Sequence, residues 1–243
     1  MNIIILAAGE RATEDSERIY PIWLGEVDGE LVVERKVRAL SKLQDPQFIF
    51  AFRAADIDAY YLRDIVGQMA GSPVVVSVKN ETAGAACTAL LCCDAVDMDD
   101  ELIIASATDQ LDVDYLPLVE EFKTRGADAG VLTFPSLHPR YSYVRAGADG
   151  WVTECAEKRP ISRSANAGFY WFAKASDFFE SLKQMIFKDA HVQGKFYICP
   201  ALNEMILKQR KVLSIPLRPE QYHPLKSADQ LNVYGLATEK EVQ

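Results

Sequence analysis

The stretch Met1-Asn-Ile-Ile-Ile-Leu-Ala-Ala-Gly9 joins a run of large aliphatic residues directly to two alanines and a glycine. Four consecutive aliphatic side chains, with no charged residue beside them, predict a strand that is buried on both faces of a sheet. The small residues that follow would let another molecule approach the backbone closely. The stretch therefore indicates either a nucleotide site at the end of the first strand or a tight strand-to-helix turn that binds nothing.

The composition narrows the classes of protein to consider. The 243 residues are 49% hydrophobic, which is enough for a sizeable core, and they include no repeat, low-complexity tract or Pro/Gly/Ser-rich linker. A net charge of -9 argues against broad attraction to nucleic acid or an anionic membrane, so neither is an expected partner. The sequence shows no signal segment and no long apolar run, and we therefore expect a cytoplasmic protein without membrane insertion.

The cysteines predict neither a disulfide framework nor a zinc site. Their number is odd, three of them fall on one predicted helix, and no Cys-x-x-Cys spacing occurs. We expect them to act as small buried hydrophobic residues. They are Cys87, Cys92, Cys93, Cys155 and Cys199.

The first half of the chain alternates predicted strands with predicted helices. The strands are at residues 3–6, 47–52, 74–78 and 101–105, and the helices are at 31–43, 55–69 and 85–95. This order is typical of a parallel sheet with crossover helices. Ligands bind such sheets at the carboxyl ends of the strands, and the predicted loop 106–110 places Asp109 at that end.

The second half mixes strands and helices in a less regular order. Strands are predicted at 129–134, 142–145, 152–156, 167–172 and 212–217, and helices at 115–125, 175–188 and 200–208. The turn Gly147-Ala-Asp-Gly150 predicts a hairpin between two of these strands. We expect one domain over residues 1–243, with a nucleotide-binding half at about 1–115 and an acceptor-binding half at about 116–243.

Five segments together resemble the nucleoside triphosphate transferase family of sugar-phosphate nucleotidyltransferases and small-molecule cytidylyltransferases. The resemblance implies a Rossmann-like α/β fold of the GT-A type, with a mostly parallel central sheet and helices on both faces. Segments such as Ala107-Thr-Asp-Gln110 and Ala156-Glu-Lys-Arg-Pro160 look most like a branch found with capsule and surface-polysaccharide genes. The five segments are Ile4-Ile-Leu-Ala-Ala-Gly9, Tyr20-Pro21 with Gly25-Glu-Val-Asp-Gly29, Thr82-Ala-Gly-Ala-Ala-Cys-Thr88, Asp109, and Glu157-Lys158 with Asn166-Ala-Gly168.

The resemblance implies a reaction between two phosphorylated partners. A phosphate oxygen of a small-molecule acceptor attacks the α-phosphorus of a nucleoside triphosphate, and pyrophosphate leaves. The resemblance to the capsule-associated branch implies a role in making surface-glycan precursors. The sequence leaves open whether the protein forms a homodimer. Mg²⁺ is the implied cofactor, because a hard cation suits carboxylate and phosphate oxygens.

The same resemblance implies a role for individual residues. Lys158 and Asp109 would be catalytic, with Asp109 also the metal ligand. The implied nucleotide-binding residues are Leu6, Ala7, Ala8, Gly9, Thr82, Gly84 and Ala85, and the implied acceptor-binding residues are Glu157, Lys158, Asn166 and Gly168.

The phosphate-binding segments depart from the family pattern. The family's Gly-x-Gly-x-Arg loop is replaced by Gly9-Glu-Arg-Ala-Thr13, so Arg11 and Thr13 stand where a glycine and the arginine belong. Pro21 is followed by Ile22 in place of the lysine that neutralises the transferred phosphate. Losing one such charged donor removes several kcal/mol of transition-state stabilisation.

The segment His223 to Leu231 also lacks an aspartate where the wider family binds metal. Asp112, Asp229 and His223 are the remaining candidates for a second metal ligand.

Three functional hypotheses follow from these observations. The first is a nucleotidyltransferase with a remodelled phosphate loop, and the second is a protein that keeps the fold but has lost transfer and acts as a binder or partner subunit. The third is a GT-A glycosyltransferase, which would use an Asp-x-Asp pair such as Asp112-Val-Asp114.

Overall fold

The structure is a computed structural model that describes residues 1–9 and 20–241, with the backbone alone at 237–241. The predictions for Arg11 and Thr13 lie outside the described residues. The strands are β1 (Asn2–Leu6), β2 (Glu26–Val27), β3 (Glu30–Leu31), β4 (Gln47–Arg53), β5 (Val74–Val78), β6 (Leu102–Ser106), β7 (Asp109–Leu111), β8 (Ala129–Pro135), β9 (Ser142–Ala146), β10 (Val152–Glu157), β11 (Ser164–Phe172), β12 (Val212–Pro216) and β13 (Tyr222–Pro224). The helices are α1 (Val32–Leu40), α2 (Ala54–Ala59), α3 (Leu62–Ala70), α4 (Ala85–Leu90), α5 (Tyr115–Thr124), α6 (Ala175–Phe187), α7 (Ile198–Leu207) and α8 (Ala228–Glu241).

A nine-stranded mixed sheet organises these elements. Strands β6, β1, β4 and β5 lie side by side and run parallel, which confirms the parallel half expected from the βαβ order. Strand β11 then pairs antiparallel with β6, β8 and β9, and β10 completes the hairpin predicted at Gly147 to Gly150. Because β1 has parallel neighbours on both sides, the ends of β1, β4 and β6 meet at one edge.

The sheet is covered on both faces, as the Rossmann-like expectation requires. Ile3 and Ile5 of β1 face a core formed with α1, α3 and α5, while Ile4 faces a second core formed with α4, α6 and α7. All three isoleucines are 0% exposed, so the first strand is buried on both faces. Alternate side chains of a strand point to opposite faces, which is why a continuous aliphatic run fits this position.

Two predicted helices are interrupted in the structure. The prediction of one helix at 55–69 is wrong, because the helix is interrupted between α2 and α3. The interruption is at Tyr60 and at Tyr61, whose φ is +51°. The predicted helix at 85–95 ends at Leu90 and is followed by a 3-10 turn at Cys93–Ala95. None of the described helices is long and apolar enough to cross a membrane.

Two short strand pairings and the helix α8 were not predicted. The expected loop 106–110 instead leads into β7, which begins at Asp109 and pairs antiparallel with β13. Strands β2 and β3 form a small hairpin before α1, and α8 follows β13. The pairing of β7 with β13 matters most, because it brings residues 222–224 to the carboxyl end of β6.

The cysteines are all free, as expected, and three of them are buried. Burial raises the pKa of the Cys92 thiol to about 12, so this thiol stays protonated near neutral pH. The cysteines therefore pack as small hydrophobic residues.

Candidate functional site

Asp109 lies at the carboxyl edge of the parallel strands and is 8% exposed. Leu6 at the end of β1 stands opposite Ser106 at the end of β6, and the Ala107 N–H donates to the Leu6 carbonyl oxygen over 3.0 Å. The chain then turns through Thr108 into β7. Asp109 is thus held where ligands bind open parallel sheets, as the sequence predicted.

Both oxygens of the Asp109 carboxylate have partners. The Tyr222 hydroxyl donates to Oδ1 over 2.9 Å, and the Lys226 ammonium lies 2.9 Å from Oδ2 while also donating to Thr108 Oγ1 over 2.7 Å. Burial by itself would raise the pKa of the Asp109 carboxyl. The Lys226 charge and hydrogen bonds from Lys226, Ser106 and Tyr222 outweigh that effect and hold this pKa below its usual value.

A second lysine reaches the same residue from α1. Lys36 is 2% exposed, and its ammonium donates to the Asp109 backbone carbonyl over 2.5 Å. Burial lowers the pKa of Lys36 to about 8, opposed by the negative charges of Asp109 and Asp112 and assisted by the positive charge of Lys226. Two lysines therefore contact Asp109, Lys226 at the carboxylate and Lys36 at the backbone carbonyl oxygen.

Gly168 approaches Asp109 from β11, and Asn166 contacts Gly168. A β-carbon at Gly168 would lie 2.9 Å from Asp109 Oδ2, and Gly168 has a φ of +76° at an irregularity in the pairing of β11 with β8. The Gly168 N–H donates to Asn166 Oδ1 over 2.7 Å. The Asn166 side-chain nitrogen is buried and has no hydrogen-bond partner among the described residues, which is unusual for a buried donor.

Glu157 and Lys158 occupy the end of β10 in different environments. Glu157 is buried and accepts a hydrogen bond from the Ser142 hydroxyl over 2.6 Å, and burial raises the pKa of its carboxyl. Lys158 has a φ of +54°, and its ammonium donates to Gln193 over 3.2 Å and lies 5.1 Å from the centre of the Tyr197 ring. A buried carboxyl group is thus followed directly by a half-exposed lysine.

The small residues after β1 are hydrogen-bonded to the neighbouring strand β4. The Ala7 N–H donates to the Ala51 carbonyl over 3.0 Å, and the Gly9 carbonyl accepts from the Arg53 guanidinium over 2.5 Å. Ala7 is buried, Ala8 is half-buried and Gly9 is exposed, so access to solvent increases along this segment.

The segment from Thr82 to Ala85 is explained in part by packing within the chain. Gly84 has a φ of +108°, and a β-carbon there would lie 2.4 Å from the Phe196 carbonyl oxygen. The Thr82 and Thr88 hydroxyls are 2.7 Å apart across the start of α4. The glycine is therefore required by the Phe196 backbone, whether or not a nucleotide contacts this segment.

The candidates for a second metal ligand do not join Asp109. His223 Nε2 lies 2.7 Å from Asp112 Oδ2, and the Tyr234 hydroxyl donates to the other oxygen of Asp112 over 2.9 Å. Asp229 lies on the first turn of α8 and is exposed. Asp112 and His223 therefore contact each other, and Asp229 is exposed to solvent.

As arranged, the residues around Asp109 do not fit a divalent cation. Both carboxylate oxygens face donor groups, and one of those donors is an ammonium. No group of three or more His, Cys, Asp or Glu side chains that could hold a metal occurs within residues 1–9 and 20–236. The expectation that Asp109 binds Mg²⁺ is therefore not supported by the donor set.

The structure accounts for Ile22, which stands where the family has lysine. Ile22 begins a 3-10 turn and packs against the core, while the next residue, Trp23, stacks on Phe52 with ring centres 5.0 Å apart. Here this position supports the hydrophobic core, and the positive charge of the site comes from Lys36 and Lys226.

Comparison with known proteins adds information about the fold. No protein-family model and no curated protein matches the sequence. Among solved structures, the chain resembles a nucleoside-diphosphate-sugar pyrophosphorylase from Vibrio cholerae RC9, with a TM-score of 0.81 and 18% identity over 97% of this chain and 100% of that one. This chain has the nucleotidyltransferase fold.

Other proteins with the nucleotidyltransferase fold also match over nearly their full lengths. A UDP-glucose pyrophosphorylase complexed with UDP-glucose has a TM-score of 0.74 and 12% identity over 99% of this chain and 98% of that one. The inositol-1-phosphate CTP transferase of T. maritima has a TM-score of 0.71 and 14% identity over 98% of this chain and 94% of that one. The likeness confirms the expected fold class.

Three residues of the site were missed by the sequence analysis. Lys36 could have been found, because it lies among the apolar residues Val33 and Val37 on the buried face of α1, where an unpaired lysine is unusual. Tyr222 and Lys226 gave no comparable signal, because their contact with Asp109 depends on a pairing between strands that are over a hundred residues apart.

Proposed function

We propose that this protein transfers a nucleotidyl group from a nucleoside triphosphate, with CTP the first candidate, to a phosphorylated sugar or small metabolite of surface-polysaccharide biosynthesis. The acceptor's phosphate oxygen forms a bond to the α-phosphorus, the bond from the α-phosphorus to the bridging oxygen breaks, and pyrophosphate leaves with that oxygen. The observation that carries the proposal is the pair of lysine ammonium groups in contact with buried Asp109, within the nucleotidyltransferase fold.

The described side chains would contribute mainly by positioning and by charge. Lys36 and Lys226 supply ammonium groups near the edge of β1 and β6, which would offset the missing lysine at Ile22. The small residues Leu6 to Gly9 would lie against the nucleotide, whose phosphates need neutralising before an anionic acceptor can approach. No step of the proposal depends on Mg²⁺.

The acceptor would lie between β10 and β11. Asn166 would donate its free side-chain N–H groups to a polar group of the acceptor, and Lys158 would contact the acceptor phosphate on release from Gln193. Buried Glu157 would accept from an acceptor hydroxyl as it now accepts from Ser142. Because Gly168 has no side chain, Asp109 lies directly against β11, beside this proposed acceptor position.

A second candidate function is binding without transfer. It is favoured by the internal pairing of both Asp109 oxygens and by the packing of Ile22 into the core. The glycosyltransferase hypothesis has no such support, because Asp114 caps α5 and Asp112 contacts His223.

The proposal is tested by the reverse reaction, which does not require the acceptor to be guessed. The protein is incubated with labelled pyrophosphate and a panel of nucleoside-diphosphate sugars and CDP-linked metabolites, in Mg²⁺ and separately in EDTA. Formation of a labelled nucleoside triphosphate that is lost in Asn166→Ala supports the proposal. Binding of a nucleotide without any labelled product would favour the second candidate, and absence of both would contradict the proposal.

A further inference from the structure

We propose that the Lys226 ammonium takes the place of a divalent cation beside Asp109, so that this site works without a bound metal ion. Lys226 provides the positive charge at the carboxylate that a metal would otherwise provide. The step from this charge to a phosphate ligand rests on the function proposed above, whereas the exclusion of metal rests on geometry alone.

The backbone fixes the position of Lys226. Pro224 pairs with Asp109 in the β13–β7 ladder, and the Leu225 N–H donates to the Thr108 carbonyl oxygen over 2.9 Å. Residue 226 therefore follows a paired strand, and its side chain reaches the carboxylate from the adjoining segment. The paired backbone of residues 224 and 225 therefore sets the position from which the Lys226 side chain reaches Asp109.

The Lys226 ammonium lies beside Oδ2 of the Asp109 carboxylate. Lys226 Nζ is 2.9 Å from Asp109 Oδ2 and 2.7 Å from Thr108 Oγ1, while Tyr222 occupies Oδ1. A divalent cation at Oδ2 would have to displace this ammonium. The positive charge of Lys36, whose ammonium contacts the Asp109 backbone carbonyl oxygen, would also repel such a cation.

Among the described residues, Asp112 does not join Asp109 in a cation site. Its two carboxylate oxygens already contact His223 and Tyr234. Mg²⁺ needs several oxygen ligands and keeps its waters tightly, and one paired carboxylate beside two ammonium groups does not provide such a site. A divalent cation at Oδ2 would therefore compete directly with the Lys226 ammonium.

Lys226 also retains the capacity to bind an anion. Its ammonium has three N–H groups, and two of them are used by Thr108 and Asp109 in the described part of the chain. A phosphate oxygen could accept the third. A lysine that is tethered to the site replaces an ion that would otherwise have to be taken up from solution.

A second ion pair of the protein provides a matched control. Lys188 Nζ lies 2.7 Å from Glu204 Oε2, with side-chain exposures of 48% and 11%, compared with 45% and 10% for Lys226 and Asp109. Removing either lysine changes the net charge equally and frees a largely buried carboxylate. Asp109 differs in having the Ser106 and Thr108 hydroxyls near it.

The test measures Mn²⁺ binding by the loss of the free-ion signal in electron paramagnetic resonance. We expect Lys226→Ala to bind Mn²⁺ at least tenfold more tightly than the unmodified protein and Lys188→Ala do. This increase in Mn²⁺ affinity should disappear in the double variant Lys226→Ala with Asp109→Asn. Lys226→Met is measured in parallel, and circular dichroism verifies folding.

Two results would overturn the proposal. One is Mn²⁺ binding by the unmodified protein that Asp109→Asn removes, and the other is a lack of gain in both Lys226 variants when they are folded. Nucleoside triphosphate binding is measured separately in EDTA. Failure to bind any triphosphate would contradict the proposed function and would leave the Mn²⁺ comparison readable.

Discussion

Gly168 lies directly against the carboxylate of Asp109, at a distance that leaves no room for a β-carbon. A methyl group at residue 168 would come within 2.9 Å of Oδ2 and 3.2 Å of the Asp109 β-carbon. The φ of +76° at Gly168 adds a backbone conformation that other residues rarely adopt. The requirement for glycine at residue 168 thus comes from both space and conformation.

Replacing Gly168 by alanine should destabilise the protein and disturb Asp109. We expect Gly168→Ala to lower the free energy of unfolding by roughly 2–4 kcal/mol, from conformational strain and overpacking together. Gly126→Ala is the control, because Gly126 has a φ of +67° and open space around its α-carbon. Urea unfolding of both variants separates the effects, and equal losses would contradict a specific contact with Asp109.

Removing the Tyr222 hydroxyl should weaken the site and leave its packing intact. The Tyr222 ring stacks on Phe134 with centres 4.0 Å apart, and phenylalanine would keep that contact. We expect Tyr222→Phe to cost about 2 kcal/mol of unfolding free energy, because a hydrogen bond to a charged group is lost. Tyr61→Phe at a 73% exposed position should cost almost nothing, and chemical denaturation compares the two.

Lys36 should make stability depend on pH above neutrality. With a pKa lowered to about 8 in the folded protein, Lys36 loses its proton before the unfolded chain does, whose value is near 10.5. Between these values the unfolded state holds more protons, so the Lys36 contribution to stability rises with pH by at most about 1.4 kcal/mol per unit.

The contribution of Lys36 is measured as the difference in unfolding free energy between the unmodified protein and Lys36→Met. Unfolding free energies of the unmodified protein and of Lys36→Met, measured across this pH range, should diverge in favour of the unmodified protein as pH rises. Lys42→Met, at an exposed position close by, should run parallel to the unmodified protein. Parallel curves for Lys36→Met would show that Lys36 does not titrate in this range.

Glu157 should produce the opposite pH dependence in acid. Burial raises the pKa of this carboxyl above 4.5, so the folded protein keeps the proton at a pH where the unfolded chain has lost it. The contribution of Glu157 to stability is complete below the unfolded value and is lost as pH rises through the folded value. The unmodified protein should therefore lose stability relative to Glu157→Gln as acid solutions are made neutral.

Glu26→Gln provides the comparison for Glu157, because Glu26 is exposed. Its difference from the unmodified protein should change little over the same pH range. If Glu157→Gln behaves in the same way as Glu26→Gln, burial does not control the ionisation of Glu157.

Local patterns in the sequence predicted the parallel half of the fold. The aliphatic run at Ile3 to Leu6 predicted a doubly buried strand, and the order of elements placed Asp109 at the carboxyl edge. The Gly147 to Gly150 turn likewise predicted the β9–β10 hairpin. These features depend on residues that are close together in sequence, which is why pattern alone is sufficient to find them.

The partners of Asp109 could not be predicted in this way. Tyr222 and Lys226 reach it through β13, a three-residue strand that is too short to have a recognisable alternation. Nor does spacing show that Gly84 is required by the Phe196 backbone. Such contacts arise from the register of distant strands, which a local pattern does not specify.

The β7–β13 ladder also determines when the site can form during protein synthesis. Asp109 is made 113 residues before Tyr222 and 117 residues before Lys226. Until the ribosome has released residues 222–226, the carboxylate lacks both of these partners, and closing so long a loop carries an entropic cost. The charge pattern around Asp109 therefore forms only after residue 226 has been made.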